Sequence, residues 1–285
     1  MLRRTDRLAL AVPDRHVAAE AFAQLYDAAP VDDAMDPVFN AHRLTLGWGQ
    51  DQLELLEPAG DGPVQAFLAE NRRGIFAGGV AADDPAAVAA GMQTMGVRVQ
   101  ADGPDRFAVT PQDGNGVAII ISKHAEREIV GLDTKLWQIT YAVPDLEPAI
   151  AHYLPLLGMD AMYTYRYASE RFGYDGAITW FDSARDGLLD SLEYLDANDP
   201  EKAVARFLAK VGQGIYMASI ETGPGALDEL RTRVTSTGPG WDGSTDDILG
   251  FIHPLRQHGL LLAAVDSAAW HERRLLPGDP ESAPH

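Results

Sequence analysis

Residues Gln138–Met159, QITYAVPDLEPAIAHYLPLLGM, form one complete structural phrase. Ile139, Tyr141 and Val143 alternate with Gln138, Thr140 and Ala142, which is the two-residue period of a half-buried strand. Pro144-Asp145 ends the strand, and Asp145 is placed to cap a helix. Leu146, Ile150, Tyr153, Leu154 and Leu157 then recur at helical spacing until Gly158 stops them. The words RLALAVPD, from Arg7, repeat the grammar of QITYAVPD, from Gln138.

Working outward, the repeat continues. Gln138 follows Arg7 by 131 residues, LEYLDA at Leu192 follows LELLEP at Leu53 by 139, and GIYMASI at Gly214 follows GIFAGGV at Gly74 by 140. GLLLAA at Gly259 follows GVAIII at Gly116 by 143. The offset grows in one direction, as small loop insertions would make it, so two copies of one domain account for most of the chain. The expected organisation is a domain over 5–123, a charged linker over 124–135, a second domain over 136–267 and a tail over 268–285. The last eight or so residues, rich in Pro, Glu and Ser, are expected to be disordered. Within the first copy a strand at Leu8 to Val12 leads to a helix at Asp14 to Ala28. DAAPVDDAMDP then reads as a turn-rich stretch, followed by strands at Val38 to Trp48 and Gln52 to Glu57.

At 285 residues, two domains with a core each are expected. The formal charge of −19 argues against nucleic acid and anionic membrane surfaces as partners, because both repel an acidic protein at long range. With no cysteine, disulfides, zinc thiolates and thiol nucleophiles are excluded. MLRRTDRLALAVPD reads as a first strand and not as a signal peptide, and no apolar run approaches the roughly 20 residues of a membrane helix. A cytoplasmic protein, monomer or homodimer, is expected. Phosphate-loop, H-E-x-x-H and G-x-S-x-G motifs are absent.

The order strand-helix-three-strands, twice per domain, with the phrases QITYAVPDLEPAI, LELLEPAGDGPVQAFLAE and FIHPLRQHGLLL, resembles the vicinal oxygen chelate superfamily, nearest its glyoxalase and methylmalonyl-CoA epimerase group. The resemblance spans about Thr5 to Ser267. It implies an α+β protein of two tandem domains, each of two βαβββ modules forming an open, cupped barrel, with a divalent metal in the cup.

Carried over one at a time, the family's four metal positions fall on Arg7, Glu54, Ala77 and Ile120 in the first copy, and on Gln138, Glu193, Met217 and Ala263 in the second. Arginine cannot ligate and a glutamine carbonyl ligates weakly. No metal or other cofactor is therefore expected. His253 and His258 flank a hairpin turn; pairing Pro254 with Gly259 sets Gly250 opposite Ala263 and turns His253 outward, and a slip of one residue would reverse this.

Glu54 faces Arg7 and reads as one half of an ion pair closing the first cup. Glu193, between Leu192 and Tyr194, is the candidate catalytic residue, because burial raises a carboxylate's pKa towards the range an acid-base catalyst needs. Gln138, Tyr141, Tyr165, Trp180 and Met217 are candidate substrate-binding residues, and the alternating Tyr163, Tyr165 and Tyr167 form an aromatic stripe. The expected function is a metal-independent isomerase, epimerase or lyase that moves a proton next to a carbonyl of a small organic substrate. One alternative is a non-catalytic binder of an aromatic or drug-like metabolite, resembling the bleomycin-resistance branch. Another is a metal-dependent lyase or dioxygenase using Gln138, Glu193 and unrecognised ligands.

Overall fold

The computed structural model describes residues 1–70, 73–132, 134–181, 190–244 and 248–272. The last thirteen residues of the tail, which include the segment expected to be disordered, lie outside them.

The first copy runs β1 (Leu2–Ala11), α1 (Arg15–Tyr26), β2 (Ala29–Asp36), β3 (Ala41–Trp48), β4 (Asp51–Pro58) and α2 (Pro63–Ala69). Then come β5 (Gly74–Ala82), α3 (Pro85–Thr94), β6 (Gln100–Ala101), β7 (Arg106–Val109) and β8 (Ala118–Lys123). The second repeats it with β9 (Thr134–Val143), α4 (Leu146–Leu157), β10 (Thr164–Ser169), β11 (Tyr174–Trp180), β12 (Ser191–Ala197) and α5 (Ala203–Val211). It continues through β13 (Gly214–Thr222), α6 (Ala226–Ser236), β14 (Trp241–Asp242), β15 (Leu249–Ile252) and β16 (Leu262–Asp266) to α7 (Ser267–Glu272).

Each copy makes one eight-stranded sheet, ordered β2-β3-β4-β1-β5-β8-β7-β6 and β10-β11-β12-β9-β13-β16-β15-β14. In each, two βαβββ modules join through an antiparallel pair, β1 with β5 and β9 with β13. Inside a module the first and last strands pair in parallel, which demands the intervening crossover helix. The capping rule holds in both copies. Asp14 accepts from the amides of His16 and Val17, and Asp145 from that of Glu147. Gly158, at φ 65°, closes α4 in the left-handed conformation glycine adopts without strain.

Alternation gives each sheet two faces. Leu8, Leu10, Leu53 and Leu55 on one sheet and Ile139, Tyr141, Val143 and Leu192 on the other belong to a single core, which also takes in the buried sides of α1, α3, α4 and α6. The opposite faces make separate clusters, under α2 in the first copy and α5 in the second. The cups therefore look away from a shared core.

Three readings of the sequence are corrected. DAAPVDDAMDP contains the edge strand β2, in which only Asp36 is buried, so the period-two signal is missing; an edge also tolerates Pro30 and charge. In the last hairpin Gly250 pairs with Ala264 and Phe251 with Ala263, one residue off the expected register, because a 3-10 turn at Pro254–Arg256 takes up chain. His253 leaves the strand, is exposed, and accepts the Leu255 amide at 3.3 Å. Tyr163 ends a separate 3-10 turn and does not continue the stripe of Tyr165 and Tyr167. Among the described residues no helix is long and apolar enough to cross a membrane.

Candidate functional site

The two copies place a glutamate at the same point of the same strand, Glu54 on β4 and Glu193 on β12, and surround it differently. Glu54 is paired with Arg7 at 2.8 Å and with Arg106 at 2.7 Å. Arg7 also reaches Asp6, and Arg43 and Arg106 share Asp36 and Asp102. Burial alone would raise Glu54, but Arg106, Arg7 and Arg43 overcome it and hold the carboxyl down at about 2. The remainder of that face is filled by Phe39, Phe67 and Phe76, with Phe76 edge-on to both neighbours at 5.0 and 5.4 Å. The first cup is thus plugged by an ionic network and a phenylalanine cluster.

In the second copy the equivalent positions, read from the strand registers, carry no positive charge. Arg7 becomes Gln138. Arg43, opposite Leu56, becomes Gly176, opposite Leu195. Arg106, opposite Ser122, becomes Leu249, opposite Val265. Glu193 is only 5% exposed, and its partners are two hydroxyls: Thr140 donates to Oε2 at 2.6 Å and Tyr167 donates to Oε1. No Arg or Lys pairs with it among the described residues. Burial raises its pKa, and the hydroxyls of Thr140 and Tyr167 offset that only in part. Burial likewise pushes the Tyr167 phenol well above its usual range, helped by the neighbouring charge of Glu193.

Gly176 makes room for this arrangement. A Cβ there would stand 2.5 Å from Tyr167 Cζ, so the ring lies across the glycine to reach Glu193. Tyr165 stacks on Tyr167 with centroids 6.2 Å apart and planes 5° off parallel, and Tyr174 meets Tyr167 edge-on at 6.1 Å.

Of the residues expected from sequence, the registers bring Gln138, Glu193, Tyr165, Trp180 and Met217 to one face. Gln138 and Trp180 both lie opposite Ser191, Met217 opposite Thr140, and Tyr165 opposite Ile178, itself opposite Glu193. Tyr165, Trp180 and Met217 are part-exposed. Tyr141 does not join them: it lies on the core face, stacked between Tyr153 at 5.9 Å and Tyr194 at 5.5 Å, with its phenol raised to a pKa above the usual range by burial. Gln138 donates Nε2 to Ser191 Oγ at 3.1 Å, and its amide oxygen takes no hydrogen bond among the described residues. Trp137, missed from sequence, packs with Val265 and Leu249, and its buried indole N–H has no partner among the described residues. Tyr167 was legible only as part of the aromatic stripe, alternation from Gln138 would have found Thr140, and Trp137 sits at a register shift that alternation does not reveal.

The divalent metal that the sequence resemblance implies does not fit these residues. Gln138, Glu193, Met217 and Ala263 offer one amide, one carboxylate, one thioether and no fourth donor, a mismatched set for a hard divalent ion. Among the described residues no three His, Asp or Glu side chains form a metal-holding group.

No family model and no curated protein matches the chain. Among solved structures, a triple mutant of 4-hydroxymandelate synthase from Streptomyces coelicolor is similar over 92% of this chain and 92% of its own, with 14% identity and a TM-score of 0.65. Methylmalonyl-CoA epimerase from Streptomyces coelicolor, in complex with 2-nitronate-propionyl-CoA, is 24% identical over 44% of this chain and 99% of its own, with a TM-score of 0.39. Its counterpart from Mycobacterium tuberculosis, also 24% identical, covers 47% of this chain with 88% of its own at a TM-score of 0.38. The near-complete overlap with 4-hydroxymandelate synthase, taken with the paired βαβββ modules of each sheet, shows that the chain has the vicinal oxygen chelate fold in tandem.

Proposed function

We propose that the second cup is catalytic and that Glu193 moves a proton next to a carbonyl of a small organic substrate, giving isomerase, epimerase or lyase chemistry without a metal. The observation that carries this is the contrast between the copies. The same carboxylate is neutralised by arginines in one, and in the other it is buried with no Arg or Lys paired to it among the described residues. An uncompensated buried carboxylate is expensive to keep, and a raised one is suited to take and return a proton near neutral pH. In the step, the C–H bond beside the carbonyl breaks and the proton goes to Glu193. The electron pair moves into an enolate, and the proton returns to carbon. The Trp137 N–H is a donor available to a ligand oxygen.

The test is deuterium uptake from heavy water at the carbon beside the carbonyl, followed by NMR over a panel of small ketones and aldehydes. Glu193→Gln is expected to lower exchange by at least about 100-fold while leaving the binding of uncharged ketones in place. Exchange at the unmodified rate in Glu193→Gln would sink the reading. A second reading, a non-catalytic binder of a planar metabolite, draws on the part-exposed Tyr165–Tyr167 stack and predicts no exchange in either protein.

A further inference from the structure

We propose that the second cup selects its ligand by charge: it takes a neutral molecule or one bearing a protonated nitrogen, and refuses one bearing a carboxylate or phosphate. This rests on the second cup being the functional one and names the class of molecule it accepts.

Three observations converge. First, the three arginines that crowd the first cup, Arg7, Arg43 and Arg106, are replaced by Gln138, Gly176 and Leu249, so the three cation positions around the glutamate have been removed together. Second, the acceptors that remain are unsatisfied by charge. Among the described residues Glu193 has only hydroxyl donors, and Gln138, 2% exposed on the same face, keeps an amide oxygen without a partner. Third, the one described lysine at that end, Lys135, is held 2.8 Å from Asp190 and 4.0 Å from Glu221, between two carboxylates that cancel it.

An anion entering this face meets Glu193, with which no described Arg or Lys pairs, whereas an ammonium or N–H group meets a carboxylate, an amide oxygen and the Tyr165–Tyr167 pair. The whole chain, at −19, reinforces the preference at long range.

The experiment uses the full chain and three probes of one shape: acetophenone, 4-acetylbenzoate and 4-(aminomethyl)acetophenone, with dissociation constants from ligand-observed NMR at pH 7.5. The amine is expected to bind at least about tenfold tighter than the carboxylate, with acetophenone between them. Glu193→Gln should bring the two charged probes within about twofold of each other. Leu249→Arg, which restores a cation of the first cup, should improve 4-acetylbenzoate selectively. Equal or tighter binding of the carboxylate, a ratio unchanged in Glu193→Gln, or no saturable binding of any probe overturns the proposal. Deuterium uptake at the methyl ketone, read in the same samples, separates the two ideas. Exchange without charge preference defeats the selection and leaves the proton-transfer reading standing; charge preference without exchange does the reverse.

Discussion

At the scale of single residues, the position of a glutamate is legible from sequence but its electrostatic state is not. LELLEP and LEYLDA locate Glu54 and Glu193, and Arg7 announces a partner for the first. Arg43 and Arg106 come from other strands, and only the fold reveals that their counterparts are Gly176 and Leu249. Gly176 offers a direct test. Alanine there puts a Cβ into the Tyr167 ring, so Gly176→Ala should swing the phenol off Glu193. A hydrogen bond to the charged form lowers a carboxylate's pKa, so its loss should raise that of Glu193 further, at a stability cost of about 1–3 kcal/mol from overpacking. A carbon-13 NMR titration of the glutamate side chains, with Glu193→Gln as the assignment control, reads the shift. An unmoved Glu193 titration would mean that Tyr167 does not tune it.

At the scale of elements, strands and helices with a buried face were readable because burial imposes a period. Strand β9 and helix α4 stand where QITYAVPDLEPAIAHYLPLLGM placed them. Strand β2 was invisible because an acidic edge has almost no buried side to impose alternation, and the last hairpin slipped because turn length is set by local geometry that hydrophobicity does not encode. The repeated caps permit a comparison within one molecule. Asp14 receives two amides at 2.9 and 3.0 Å, while Asp145 receives one at 3.3 Å. Asp14→Ala should therefore destabilise the chain by about 1 kcal/mol and Asp145→Ala by less, as measured by urea unfolding midpoints. Equal losses would show that both helices depend on packing rather than on their caps.

At the scale of the whole molecule, the copies are tied by more than a linker. Gly49 exchanges backbone N–H to C=O hydrogen bonds with Val130 at 2.9 Å each way, and a Cβ at Gly49 would stand 1.9 Å from the Thr134 carbonyl oxygen. Asp51, paired with Arg4, accepts the Leu136 amide at 2.7 Å, fastening the first strand of the second copy to the first copy. Burial outweighs Arg4 and pushes Asp51 from 3.8 up to about 8. A raised carboxyl contributes stability that is fully present below its unfolded pKa and lost as pH rises through the folded one. Stability should thus decline between pH 3.8 and about 8 on account of Asp51, and Asp51→Asn should flatten that decline in urea midpoints taken across the window. An identical slope in the variant would refute the assignment. Glu54 and Asp6, each held near 2 against burial by arginines, act in the opposite sense: their contribution is lost as pH falls towards that value.

The plugged first cup has an evolutionary consequence. Its arginines hold Glu54 through ion pairs, whereas Glu193 in the second cup is held by two hydroxyls. A substitution at Glu193 therefore breaks no ion pair among the described residues, so the second half can vary at that carboxylate while the ionic network of the first half stays intact.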